Sequence, residues 1–280
     1  MICVFDIETV PDIELIKKGI PDTQTIGPIE ICEMAMEDQK QKSGSNFLPI
    51  YLHRIISIAS VIVDEYGHFI KVGNFGKINF DEGSFDVDLI EKNLIADFLK
   101  FFNKSQPKLV SFNGRGFDLP VIMLRAMRYN LCANAYYEQD NPAFNKSKWE
   151  NYRQRFSERF HTDLLDSLGH FGMARSLKLN DISLMLGMPG KYDMSGDEVY
   201  RIYYDEKINK LDSLTKIDEY CQSDVLNTYW LYLKYELLKG EINLEDYLNI
   251  LDEFCNKIPQ NQGYSEVFTH AIKKELENAR

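Results

Sequence analysis

Asp6-Ile7-Glu8 follows directly on the apolar run Ile2-Cys3-Val4-Phe5. Side chains alternate along a strand, so Asp6 and Glu8 leave one face and Ile7 the other. Two carboxylates side by side at a strand end repel each other and lose hydration. A hard divalent cation compensates them, because Mg²⁺ and Mn²⁺ take oxygen ligands. A third acid, Asp118, closes the segment Ser111-Phe112-Asn113-Gly114-Arg115-Gly116-Phe117-Asp118, in which two glycines allow a sharp turn and close approach to a ligand. A fourth, Asp224, stands four residues after Tyr220 in a helical pattern. That spacing puts both side chains on one face, with Cβ atoms roughly 5–6 Å apart. Each segment alone also has an ordinary reading: a solvated D-x-E, Asp118 as a helix cap, Asn113 as a turn residue. Val225, Leu226, Tyr229 and Trp230, however, bring an apolar face near Asp224, and an acid there needs a partner.

The elements that must position these groups can be read from periodicity. Residues 2–6 predict a strand, and residues 54–63 and 69–73 a hairpin around a turn with Gly67. Leu89, Ile90, Leu94, Ile95, Phe98, Leu99 and Phe102 have helical spacing over 87–102. A fourth strand is expected at 108–112, a helix at 118–130 with Pro120 in its first turn, and a fifth strand within 160–168 running into a turn or helix. Further helices are expected near 180–186, over 212–238, and at 244–255 and 265–276. This order predicts an α/β class with a mixed sheet flanked by helices. Residues 12–53 and 133–158 read as irregular insertions in a domain spanning 1–238, with 239–280 as a small helical cap.

Bulk properties narrow the function. Of 280 residues, 44% are hydrophobic and 27% charged, an ordinary globular composition. The longest apolar stretch, 55–63, is too short to cross a bilayer, so no membrane role is expected. No signal-peptide pattern opens the chain, and five scattered cysteines without a C-x-x-C pair point to a reducing, cytoplasmic setting. The net charge of −11 argues against a long grip on a polyanion. Few phosphates should be contacted, and the salt dependence of binding should be shallow.

Together the three segments spell D-x-E, N-x-x-x-F-D and Y-x-x-x-D. This pattern resembles the tyrosine-bearing subclass of the DEDD 3′–5′ exonucleases, and in particular the stand-alone predicted exonucleases related to the proofreading domain of family B DNA polymerases. The likeness runs from Met1 to about Leu233 and includes His161-Thr162-Asp163-Leu164 and Asp193-Met194-Ser195-Gly196-Asp197. The resemblance implies an RNase H-like fold and phosphodiester hydrolysis with two divalent cations, Mg²⁺ or Mn²⁺. Asp6, Glu8 and Asp224 would hold one ion, and Asp6 would bridge to a second anchored by Asp118. Tyr220 would orient the attacking water. The backbone at Ile7 and Thr9 and the side chains of Asn113 and Phe117 would seat the terminal nucleotide. The implied partner is the 3′ end of single-stranded DNA or RNA. No protein partner can be inferred.

Other residues weigh less. Asp163 and Asp166 read as strand-end acids that bind local backbone. His161 lies in the wrong segment to replace Tyr220. Of Arg115, Lys178 and Lys191, only Arg115, inside the second motif, rises above a solvated charge as a phosphate contact. The alternative function is a catalytically silent nucleic-acid or protein-binding module on the same fold. Intact acids disfavour it, since a binding module gains nothing from crowded carboxylates.

Overall fold

A computed structural model describes residues 1–19, 25–76, 86–191, 194 and 196–279, without the side chain of residue 197. Asp193 and Ser195 of the segment noted above therefore lie outside the described residues. Strands β1 (Ile2–Pro11), β2 (His53–Val63), β3 (Phe69–Asn74), β4 (Lys108–Ser111) and β5 (His161–Asp163) form one sheet in the order β3-β2-β1-β4-β5. The first three pair antiparallel and the last two run parallel to β1, which gives the mixed sheet that the sequence predicts.

The helices, in chain order, are α1 (Ile13–Lys17), α2 (Pro28–Ser43), α3 (Val87–Ser105), α4 (Asp118–Arg128), α5 (Asn134–Tyr137) and α6 (Leu164–Leu168). They continue with α7 (Leu179–Met185), α8 (Gly196–Tyr204), α9 (Lys210–Lys239), α10 (Leu244–Lys257) and α11 (Ser265–Asn278). Alternation along β1 sorts them into layers. Ile2 and Val4 face a core shared with α9, α10 and α11, where Trp230, Tyr247, Phe254 and Phe268 are buried. Cys3, Phe5 and Ile7 face a second core under α3 and α4. Burying each such large apolar side chain stabilises the fold by about 1.5–3 kcal/mol. By the same alternation Asp6 and Glu8 point toward α9.

The structure departs from the sequence reading in three places. β1 does not stop at residue 6 but runs to Pro11, with a register shift between Glu8 and Thr9. The 12–53 segment is not irregular: α2 is a sixteen-residue helix, with Pro28 in its first turn and Gly44 as a left-handed cap at φ 79°. These residues look like loop markers in sequence but serve as helix start and stop. Helix α8, unforeseen, packs Val199, Tyr200 and Tyr203 against Ile31, Ile217 and Tyr220 in a third core. Among the described residues no helix is long and apolar enough to cross a membrane.

Candidate active site

β4 covers β1 only from Ile2 to Val4. Past Val4 that edge of β1 is open, and its free N–H groups need acceptors. Ile7 donates its N–H to Asp118 Oδ1 at 3.1 Å. The 112–117 loop makes this bond possible. Asn113 adopts the left-handed conformation at φ 68°. Gly114 lies so close to Ser111 that an added Cβ would meet Ser111 Oγ at 2.4 Å, so only glycine fits. Asp163 fastens the loop from β5, accepting the N–H groups of Asn113 and Arg115, each at 2.8 Å. Asp118 is thus the first residue of α4 rather than its cap, and the cap position, Phe117, makes no side-chain bond.

Helix α9 supplies the other wall. The Tyr220 hydroxyl donates to the Asp224 carboxylate one turn on. Between them Cys221 is buried, and its thiol donates to the Asp6 carbonyl at 3.6 Å. One ligand atom each from Asp6, Glu8 and Cys221 lie within 4.8 Å of one another. Asp118 adjoins this group, and its charge acts on both Asp6 and Glu8. Four carboxylates from β1, α4 and α9 therefore meet at one place.

Their electrostatics are unusual. Burial, followed by repulsion from the other acids, raises the Asp6 and Glu8 carboxyls well above the ordinary carboxylate range. Burial pushes Asp118 up to about 7 and Asp224 to about 6. No arginine or lysine forms an ion pair with any of the four among the described residues. Among the described residues, Lys191 is the cation whose field reaches both Glu8 and Asp224. Asn227, one turn beyond Asp224, fixes the backbone next to it by accepting from Gly190 N (3.1 Å) and donating to Gly190 O (2.8 Å). Four carboxylates this close, with so little cationic compensation, fit a site for hard divalent ions, although the Cys221 thiol lies beside them.

Beside the carboxylates lies a cavity of about 650 Å³, lined by Ile7, Glu8, Thr9, Phe47, His53 and Phe117 among others. Phe47, His53 and Phe117 meet with ring centroids 5.0–5.3 Å apart. His53 Nε2 lies 3.1 Å from the Leu48 carbonyl and must donate to it, so Nδ1 accepts from Thr9 Oγ1 at 2.9 Å. Burial lowers the His53 pKa and keeps the ring neutral. Phe47 and His53 could not be assigned to the site from sequence, because only the antiparallel pairing of β1 with β2 and the loop before it bring them there.

Arg115 is placed differently from expectation. Its guanidinium turns inward and donates to the carbonyls of Tyr152, Ser157 and His161, which ties the 112–117 loop to the 152–161 segment. Asp163 has the structural role read from sequence, on loop N–H groups, whereas Asp166 sits in α6 and pairs with the Arg155 side chain at 2.9 Å rather than with local backbone. His161 is fully buried and shares a 2.8 Å bond with Ser111, away from the Tyr220 position.

A mixed five-stranded sheet in this order, with an acidic pair on its central strand facing a long helix, is an RNase H-like α/β fold of the family B polymerase exonuclease type. A sequence model of the family described as "predicted 3′-5′ exonuclease related to the exonuclease domain of PolB" matches residues 45–272, and the chain belongs to that family. The matched span holds Asp118, Tyr220 and Asp224; Asp6 and Glu8 precede it. Among solved structures, the family B DNA polymerase from the hyperthermophilic archaeon Pyrobaculum calidifontis is similar at 14% identity and a TM-score of 0.44, over 96% of this chain and 27% of that one. No curated protein matches the chain significantly.

Proposed function

We propose that the protein is a metal-dependent 3′–5′ exonuclease that removes nucleoside 5′-monophosphates from the 3′ end of single-stranded nucleic acid or short oligonucleotides. The observation that carries this reading is the convergence of Asp6, Glu8, Asp118 and Asp224, without an arginine, beside a cavity of nucleotide size. Asp6, Glu8 and Asp224 would hold one divalent ion and Asp6 with Asp118 a second, Mg²⁺ or Mn²⁺. Bound there, such ions stabilise the charge on the attacking and leaving oxygens and acidify a water.

The chain's own groups do the rest. Tyr220 stays neutral, because burial and the neighbouring acids push its hydroxyl far above the ordinary range. It is therefore a hydrogen-bonding group rather than a base: it donates to Asp224, and its oxygen accepts from and orients the attacking water. Lys191 offsets the repulsion between the carboxylates and the incoming phosphate. The aromatic trio of Phe47, His53 and Phe117 packs against the terminal nucleoside and excludes water from the reacting phosphodiester.

The test is digestion of 5′-labelled single-stranded DNA and RNA with Mg²⁺, with Mn²⁺ and with EDTA. A ladder shortening from the 3′ end only with metal is expected. Binding without cleavage under every condition would replace this reading with the silent binding module.

A further inference from the structure

Asn113, Arg115 and Gly116 of the 112–117 loop help to line a second cavity, of about 670 Å³. Its wall carries four arginines, Arg115, Arg153, Arg155 and Arg175, against two aspartates, Asp163 and Asp166. In a chain of net charge −11 this local balance is reversed. Both aspartates are already engaged. Asp163 accepts loop N–H groups, and Asp166 pairs with Arg155 at 2.9 Å and approaches Arg115 at 3.9 Å. Arg153 and Arg175 are exposed and have no acidic partner among the described residues.

Aromatic side chains frame this cationic wall. Arg155 lies over the rings of both Phe156 and Phe171, at 6.0 and 5.9 Å, and Arg153 lies 5.4 Å from the Tyr137 ring. Phe156 and Phe171 meet edge-on at 4.8 Å, yet Phe156 is 77% exposed. The backbone that presents Phe171 is strained: His170 and Phe171 are left-handed at φ 47° and 56°, and Ser176 at 64°. Non-glycine residues hold such conformations only where the surroundings enforce them, and they cluster at ligand-binding sites. Asn113 lines this cavity, and Phe117, four residues on, lines the nucleotide cavity, so the two sites share one loop.

We propose that the arginine cavity and its aromatic rim bind the strand immediately 5′ of the terminal nucleotide. Arg153, Arg155 and Arg175 would neutralise its phosphates, and Phe156 and Phe171 would stack on its bases. Stacking needs unpaired bases, so the site takes a single strand and not a duplex. This inference rests on the exonuclease reading for which end of the strand enters the carboxylates. It also replaces the sequence expectation of a grip confined to the terminal residues, because folding gathers arginines that lie 60 residues apart, from 115 to 175.

The test compares binding of thymidine 5′-monophosphate and of fluorescent dT10 to the full chain carrying Asp6→Asn, across a salt series. Arg153→Gln with Arg175→Gln should weaken dT10 at least about fivefold and make the slope of log K against log salt shallower by about 1.4, since each single-strand phosphate contact contributes roughly 0.7. Phe156→Ala, at an exposed position, should weaken dT10 by about 5- to 100-fold. Neither change should alter binding of thymidine 5′-monophosphate, which fills only the terminal site. Unchanged dT10 affinity and slope in both variants would overturn the proposal, as would equal affinity for a polyglutamate peptide, which would mark an acidic-protein site. Selective loss of dT10 binding in a protein that hydrolyses nothing would remove the exonuclease reading and leave this single-strand site standing.

Discussion

Two clusters of buried acids flank β1, and they behave in opposite ways. At its C-terminal end, Asp12 from the following turn and Glu91 from α3 meet Arg125 from α4 and Arg54 from β2. Arg125 donates to Asp12 at 2.8 Å and to Glu91 through two nitrogens, one at 2.7 Å, while Arg54 donates to Asp88 at 2.6 Å. Burial pushes the Asp12 carboxyl up, but Arg54 and Arg125 outweigh it and hold it below the ordinary value. In the middle of the same strand Asp6, half-buried, and Glu8, buried, have no guanidinium beside them, and their carboxyls rise instead. Acids of the same types meet in both clusters; arginine is what sets them apart. A compensated cluster is a strut between β1, β2, α3 and α4. An uncompensated one stores repulsion that a cation can release, so the missing arginine marks the site better than the acids do.

The largest effect should come from the uncompensated side. Asp6→Asn is expected to lower nucleotide release at least about a thousandfold, because it removes the carboxylate that the proposed function shares between two ions. In EDTA the variant should melt no lower than the parent, since one repelling charge is gone. Near-normal activity of this variant with Mn²⁺ would sink the metal assignment. Arg125→Ala should do the reverse. It leaves Asp12 and Glu91 buried with too few partners, a change that costs about 3–5 kcal/mol in comparable networks. Urea unfolding measures it, and a cost below about 1 kcal/mol would mean that water reaches the strut. The fraction that stays folded should still cleave.

Tyr220→Phe tests a group that belongs to the site without being one of its charges. Activity should fall about 10- to 100-fold with unchanged stability, because only the orientation of the water is lost. An effect below about threefold would remove Tyr220 from the mechanism. A loss as deep as that of Asp6→Asn would assign it more than orientation.

The sequence makes the carboxylate cluster legible because each member sits in a strong local pattern: an apolar strand before Asp6, a glycine loop before Asp118, a long helix around Asp224. The strut is much less legible. Glu91 interrupts the apolar face of α3 and Arg125 that of α4, and nothing local says that they face each other 34 residues apart. Helix α2 escapes for a different reason. It buries only Ile31, Cys32 and Ala35, too sparse a stripe to carry a helical period, although Pro28 and Gly44 bound it correctly. Cys221 and Lys191 enter the site only through the packing of α9 on β1 and the clamp of Asn227 on Gly190. Arg115 shows the converse: a residue inside a motif whose guanidinium is taken by carbonyls from a distant segment.

The smallest expected effect is the pH dependence of stability in EDTA, and it separates the two clusters by sign. The site carboxyls are raised in the folded state, Asp118 to about 7 and Asp224 to about 6, against roughly 4 in an unfolded chain. The folded state therefore binds more protons, and the stability they contribute is fully present below about pH 4 and lost as the pH rises through 6 to 7. Asp12 and Asp88 are lowered, so their contribution is present above roughly pH 4 and lost as the pH falls through their folded values. Melting temperature should thus peak in mildly acid buffer and decline on both sides. Asp6→Asn should flatten the alkaline limb alone, and so should saturating Mn²⁺, which takes the place of the protons. A metal-free melting temperature that holds steady or climbs from pH 5 to pH 8 would mean that water already compensates the four carboxylates, and the contrast between the clusters would then disappear.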